Sequence, residues 1–254
     1  MIKLPWWCLG LFVAAAIPTQ AQSQNSPAVL PSVEQILDKY EQAIGGRAAW
    51  EKIRSLHEVD IVQIPRTGET GISDVWVVPN KCYIALHMKQ RAETFKVGFD
   101  GETGWSIAPR VGLKKLSGED LAHARRMAMF PEEVRLRELV SQIRLKGKAR
   151  VGEREAYVLD IEFDAGYLAR MYFDSETWLK IREDVVQTDS PGPSIKEVYF
   201  DDFREIPDMK IKYAFRRVEK AKYAGVEHVK ELHFNVPVDE SLFRIPSSHI
   251  YIQR

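Results

Sequence analysis

The chain has 254 residues, with 36 basic side chains against 36 acidic ones and 45% hydrophobic residues. That length supports one substantial core, and the zero formal charge excludes the basic footprint that a nucleic-acid partner requires. Two cysteines, one of them in an N-terminal apolar segment, exclude a disulfide framework.

The N-terminus reads MIKLPWWCLGLFVAAAIPTQA. One Lys, an apolar stretch shorter than the roughly 20 residues that span a bilayer, and the small-x-small end Thr19-Gln20-Ala21 predict a secretory signal over 1–21. Cys8 leaves with it, and loss of Lys3 gives the mature chain one acidic charge in excess. Residues 22–31, QSQNSPAVLP, are polar and Pro-punctuated and predict a flexible lead into a single domain over 32–254. Ser32 with Gln35 makes a capping-box pattern, and Val33, Ile36, Leu37, Tyr40 and Ile44 follow at helical spacing until Gly45-Gly46 ends the helix. A shorter helical piece is expected over 47–55.

From Leu56 the period changes to two, predicting strands near 57–64, 71–78, 81–88, 92–99 and 103–108. Ser117 to Asp120 predicts a helix start for 121–129, and Pro131 restarts a helix over 132–142. Strands resume near 143–151, 154–163, 167–173, 178–187, 194–201, 210–219 and 226–236. Each alternates apolar with polar residues, so the fold class is mainly β (α+β), with an antiparallel sheet. Three stretches repeat one figure, aromatic then Asp then turn: GFDGETGWSI, MYFDSETWLKI and VYFDDFREIPDMKI. The figure predicts hairpin punctuation, with Asp opening each turn.

Chemistry is sparse. The six histidines show no metal-ligand spacing, and His228 and His233, an odd number apart on one strand, are expected on opposite faces. No GxSxG elbow and no phosphate-binding glycine loop is present, and no cofactor is expected. Cys82 sits at an apolar strand position, as a buried hydrophobe does. Asp160 and Glu162 occupy a polar strand face, and Asp201-Asp202 follow one another; a hydrolase would need two of these four carboxylates to converge in a cleft. Arg144, Lys146, Lys148 and Arg150 alternate along one strand, a wet face that also discourages edge aggregation.

The phrases ILDKYEQAIGG, GFDGETGWS, LSGEDLAHARR, YFDSETWLKIRED, VYFDDFREIPDMKIKYAFR and FNVPVDESLFRIP, in this order behind a signal peptide, resemble the LolA-like superfamily of periplasmic lipoprotein and lipid carriers. The resemblance implies a strongly curved antiparallel sheet, an incomplete barrel of about eleven or twelve strands, with an N-terminal helix and a mid-chain helical pair over its concave side. It also implies an apolar cavity for acyl chains, with a lining drawn from Leu86, Met88, Phe95, Val97, Phe99, Met127, Phe130, Leu159, Ile161, Phe163, Tyr213 and Phe215. The chain departs from the family in its basic helices, with Arg125-Arg126, Arg135 and Arg137, and it has no anchoring lipobox cysteine. The function implied is a non-enzymatic, soluble periplasmic carrier for lipid or lipoprotein acyl chains, monomeric, with transient contacts to membrane or envelope proteins. The alternative is an envelope sensor or adaptor that binds a protein partner.

Overall fold

The computed structural model describes residues 30–91, 94–163, 168–187, 194–221 and 224–247. The expected signal and residues 22–29 of the expected lead lie outside them. The unit that begins at Pro31 is compact. Helix α1 (Val33–Ala43) starts at the capping box: Gln35 N donates to Ser32 Oγ at 3.2 Å, and Ser32 N donates to Gln35 Oε1 at 2.8 Å. Its Ile36, Leu37 and Tyr40 are buried, while Arg137 gathers Glu34, Asp38 and Glu41. The helical piece expected over 47–55 is a single turn, α2 (Arg47–Trp50). It stops early because Arg54 N donates to Asn235 Oδ1 at 2.7 Å and Asn235 N donates to Ser55 O at 2.9 Å, which ties this stretch to the sheet.

The first run of strands is β1 (Leu56–Ile64), β2 (Glu69–Val78), β3 (Lys81–Met88), β4 (Thr94–Phe99), β5 (Gly104–Ala108) and β6 (Gly112–Lys115). Helices α3 (Gly118–Met127) and α4 (Glu132–Arg135) and a 3₁₀ turn (Leu136–Glu138) interrupt it. The second run is β7 (Val140–Val151), β8 (Arg154–Phe163), β9 (Leu168–Asp174), β10 (Lys180–Gln187), β11 (Ser194–Ile206), β12 (Ile211–Lys220) and β13 (Gly225–Phe234). All thirteen form one sheet in the order β6-β5-β4-β3-β2-β1-β13-β12-β11-β10-β9-β8-β7. Every neighbouring pair is antiparallel, and β6 and β7 end the sheet without pairing to each other, so it is an incomplete barrel.

Local differences from the sequence pattern have identifiable causes. The helix expected over 132–142 ends early, because Val140, Ile143 and Leu145 alternate with polar residues and pair against Phe163, Ile161 and Leu159 of β8. The short β6 adds a thirteenth strand. Two of the three aromatic-Asp figures are turns: Asp100 Oδ1 accepts from Glu102 N and Thr103 N, and Asp174 Oδ1 accepts from Glu176 N and Thr177 N. The third is not. Asp202 takes φ +50° inside β11, which runs on to Ile206, and the chain turns at 207–210.

The expected opposition of His228 and His233 is overturned by a bulge. Val59 pairs with Glu231 but Asp60 pairs with Val229, so Lys230 is an extra residue and reverses the alternation. His233 faces His57 and His228 faces Ile61, which puts both on one side of the sheet.

The main core lies between one sheet face, the inner face, and the helices. Cys82 Sγ lies 3.5 Å from Ala124 O of α3, and the Tyr40 ring of α1 meets Phe173 of β9 edge-on at 5.1 Å. A second core forms on the outer face, where Phe243 and Ile245 pack over Tyr83, Trp105 and Leu113. Trp105 Nε1 donates to Phe243 O at 2.8 Å. Its indole also explains Gly98 in the GFDGETGWS phrase, since a Cβ there would come within 2.4 Å of the ring. Among the described residues, no helix is long and apolar enough to cross a membrane.

Candidate functional site

Because strand side chains alternate, the even-numbered residues of β1 share the inner face, and the register carries that face across the sheet in rows. One row is Leu56, Val77, Cys82 and Phe99; the next is Glu58, Val75, Ile84 and Val97. Then come Asp60, Ser73, Leu86 and Phe95, and last Val62, Gly71 and Met88. Five of the residues expected to line a cavity therefore lie on one face: Leu86, Met88, Phe95, Val97 and Phe99. Phe99 and Met88 are buried, Val97 and Leu86 are half-buried, and Phe95 is exposed at 38%.

Leu159, Ile161 and Phe163 of β8 are fully buried, with the Arg126 guanidinium of α3 4.9 Å above the Phe163 ring. Met127 is half-buried and Phe130 buried, both against the main core. Tyr213 stands between Trp50 and Phe234, at ring separations of 6.5 and 6.2 Å. Phe215 meets Tyr213 at a right angle and carries the exposed Arg204 guanidinium 4.5 Å above it. The first group thus stands on β3 and β4, Tyr213 and Phe215 on β12 with β2, β1 and β13 between, and Leu159, Ile161 and Phe163 on β8, while Phe99, Val97, Tyr213 and the β8 residues share one apolar core.

The sequence reading missed the charge on this face. Arg217 of β12 reaches Glu58 and Asp60 through Nη2, the latter at 2.9 Å, and Glu227 through Nε at 3.0 Å. The Glu58 and Asp60 side chains are only 3% and 2% exposed. Burial would raise the Glu58 carboxyl, but the Arg217 charge and hydrogen bond outweigh it and hold Glu58 below the usual carboxylate range. Asp60 goes the other way: burial pushes it up to about 8 against the pull of Arg217, with Glu58 and Glu227 adding to the rise. Among the described residues, Glu58 Oε2 and Asp60 Oδ1 have no hydrogen-bond partner.

A second buried group is balanced. Glu183 of β10 receives Arg126 of α3 and, at 3.0 Å, Lys180, while Arg126 also reaches Glu132 at 3.0 Å. Burial opposes ionisation of Glu183, but the two cations prevail and hold it down at about 2. These contacts pin α3 to the sheet. Arg135 pairs with Glu138, and Arg137 with the acids of α1, so most of the basic residues of the helical segment are engaged within the fold. A cavity of about 80 Å³ lies beside both groups, bounded by Tyr40, Trp50, Glu133, Lys180, Phe200, Tyr213 and Arg217.

Other expected chemistry is placed differently. Asp160 pairs with Arg170 at 2.5 Å, Asp201 with Arg216 at 2.6 Å, and Asp202 with Arg204 at 2.6 Å, so each carboxylate is neutralised by its own arginine. Cys82 is buried, and burial pushes its thiol up to about 12. No cluster of three or more metal-ligating side chains occurs among the described residues. On the outer face, a groove of about 310 Å³ runs across β7 to β11, with exposed Leu168, Val186 and Ile195 beside Arg144, Asp160 and Arg170.

By sequence, no protein-family model and no curated protein matches the chain. By structure, the chain superposes on a DUF1329 family protein from Desulfovibrio piger with TM-score 0.56 and 14% identity, over 85% of this chain and 98% of that one. A LolA superfamily protein from Nitrosomonas europaea matches with TM-score 0.56 and 11% identity, over 85% and 99% of the two chains. The fold is LolA-like. An outer membrane lipoprotein-sorting protein domain from Vibrio parahaemolyticus gives TM-score 0.52 and 14% identity, over 82% and 94%. In this LolA-like chain the helices cover the inner face, and the acid-rich group around Arg217 lies on that same face.

Proposed function

We propose that this protein is a non-enzymatic carrier of lipid or lipoprotein acyl chains, exported to the periplasm. The observation that carries the reading is the inner face itself: rows of apolar side chains lead from the strip under α3 outward to exposed Phe95. Burying an acyl chain there is favourable by roughly 0.8 kcal/mol per CH₂ and needs no catalytic group. The cavity of about 80 Å³ holds only a few water-sized groups, so the chain lies along the rows of Ile84, Leu86, Val97 and Phe95 as well. The similarity to a lipoprotein-sorting domain supports the same reading.

The test is native mass spectrometry of the protein purified without detergent from an exporting host, followed by organic extraction. Co-purifying acyl species that disappear in Val97→Asp, at a half-buried position, are the expected result. A ligand-free mass, with no uptake of added fluorescent fatty acid, overturns the carrier reading.

The outer groove, with exposed Leu168, Val186 and Ile195, favours one second reading, an adaptor that holds a protein partner on that face. Leu168→Asp would then abolish partner capture while leaving acyl binding untouched.

A further inference from the structure

We propose that Glu58, Asp60 and Arg217 form a polar subsite on the inner face that takes the hydrogen-bond-donating head of the carried amphiphile, a hydroxyl, amide or ammonium group. This rests on the carrier reading and names the ligand class within it. Three observations converge on the subsite.

The first is the pair of orphan acceptors. Glu58 Oε2 and Asp60 Oδ1 belong to side chains that are 3% and 2% exposed, and neither atom has a donor. Buried polar atoms without partners are costly and rare in native folds; a proton on Asp60 can be shared between the two oxygens, and a ligand donor fills the lone pairs that remain. Each side chain's other oxygen is already taken by Arg217 Nη2, and Arg217 Nε is taken by Glu227.

The second is charge. One guanidinium faces three carboxyls from two strands, Glu58 and Asp60 of β1 and Glu227 of β13. Even with the Asp60 carboxyl neutral, as its upward shift implies, the group retains an acidic excess. An anionic phosphate or carboxylate head is repelled there, whereas a neutral donor or a cation is attracted.

The third is position. Asp60 opens the row that continues through Ser73 and Leu86 to Phe95. At about 4.8 Å between strands, that row runs roughly 14 Å from acid to exposed aromatic ring. The buried Ser73 hydroxyl is the first side chain along it, and apolar groups follow. An amphiphile has this same sequence of polarity. On the other side, Tyr213 and Arg217 border the cavity of about 80 Å³, whose lining adds Glu133, Lys180 and Lys212, so the acidic excess is confined to the side of Arg217 that faces Glu58, Asp60 and Glu227.

The experiment displaces a fluorescent alkyl probe from the full chain at pH 7 with three amphiphiles of equal chain length, each kept monomeric: dodecylamine, 1-lauroylglycerol and dodecyl phosphate. In the wild-type protein the amine and the glycerol ester should displace the probe at concentrations about tenfold lower than the phosphate. Glu58→Gln, which removes a charge, should narrow the three to within about threefold while probe binding persists, whereas Asp60→Asn, neutral like the Asp60 carboxyl at pH 7, should keep the wild-type order. If the phosphate binds equally well or better, or if Glu58→Gln keeps the wild-type order, the subsite is refuted and the carrier reading stands. If neither the probe nor any amphiphile binds, the carrier reading fails and the subsite falls with it. The wild-type series alone fixes the sign of the preference, so a variant that does not fold leaves the proposal refutable.

Discussion

Replacing Asp60 by asparagine probes the buried acids through stability, independently of any ligand. The groups that face Asp60 are Glu58 on its own strand, Arg217 from β12 and Glu227 from β13, and burial leads the effects that hold its carboxyl at about 8. An aspartate in the unfolded chain titrates near ~3.9. Between those two values the folded protein holds a proton that the unfolded chain has released. Stability therefore falls as pH rises, by about 1.4 kcal/mol per pH unit. The contribution is fully present below the unfolded value, declines through the neutral range and is lost once pH passes the folded value near 8. Asp60→Asn keeps a neutral side chain of nearly the same shape and has no proton to bind, so it lacks this slope. Relative to wild type, the variant should gain about 3 kcal/mol between pH 5 and pH 7. Urea unfolding followed by tryptophan fluorescence at pH 5, 6 and 7 measures that drift, and titrating groups away from Asp60 cancel in the difference. A difference that stays constant with pH would show that Asp60 is ionised in the fold, and the account of burial outweighing Arg217 would be wrong.

Glu183→Gln removes the negative charge shared by Arg126 and Lys180 and leaves them one acceptor oxygen, and breaking such a buried pair should cost about 3–5 kcal/mol at neutral pH. Because Glu183 is held down at about 2, the wild-type protein loses this contribution as pH falls from the ordinary glutamate range toward 2, so the gap between the two chains should close on acidification. Gly45→Ala should lower stability by about 3 kcal/mol or more, seen as a fall in Tm, since Gly45 has φ +109° and a Cβ would come within 2.2 Å of Lys210 O. Cys82 should resist a thiol-specific reagent in the native protein and react fully in denaturant, because its thiol is buried and pushed up to about 12.

The sheet was legible because its strands alternate, and that regularity is also where the sequence misleads. Glu58 and Asp60 have the same parity as Leu56 and Val62, so their inward orientation is written in the sequence. A carboxylate on a half-buried strand is nevertheless expected outside, and only Arg217, far along the chain, makes the inward placement tolerable. The His228 and His233 pair fails for another reason: one inserted residue, Lys230, reverses a parity that spacing alone cannot reveal. Asp201 follows Phe200 as Asp100 follows Phe99 and Asp174 follows Phe173. Asp100 and Asp174 accept backbone N–H groups across a turn, while Asp201 spends its carboxylate on Arg216 within a continuing strand.

The two buried charged groups differ in a way that bears on function. Arg126 and Lys180 meet Glu183 and Glu132 with equal numbers of opposite charges, and they join a helix to a strand, which is reason enough for such residues to be buried. Around Arg217 the count is unequal, two acceptor atoms are left over, and the carboxylates lie on strands that backbone hydrogen bonds already join. Buried ion pairs are weak sources of stability even when balanced, and apolar residues of similar size often serve as well. A face built only to pack would continue the pattern of Leu56 and Val62 through positions 58 and 60. Keeping Asp60 there makes stability fall toward neutral pH, as the drift relative to Asp60→Asn should show, and that cost is intelligible if the acids serve something that the folded chain alone does not supply.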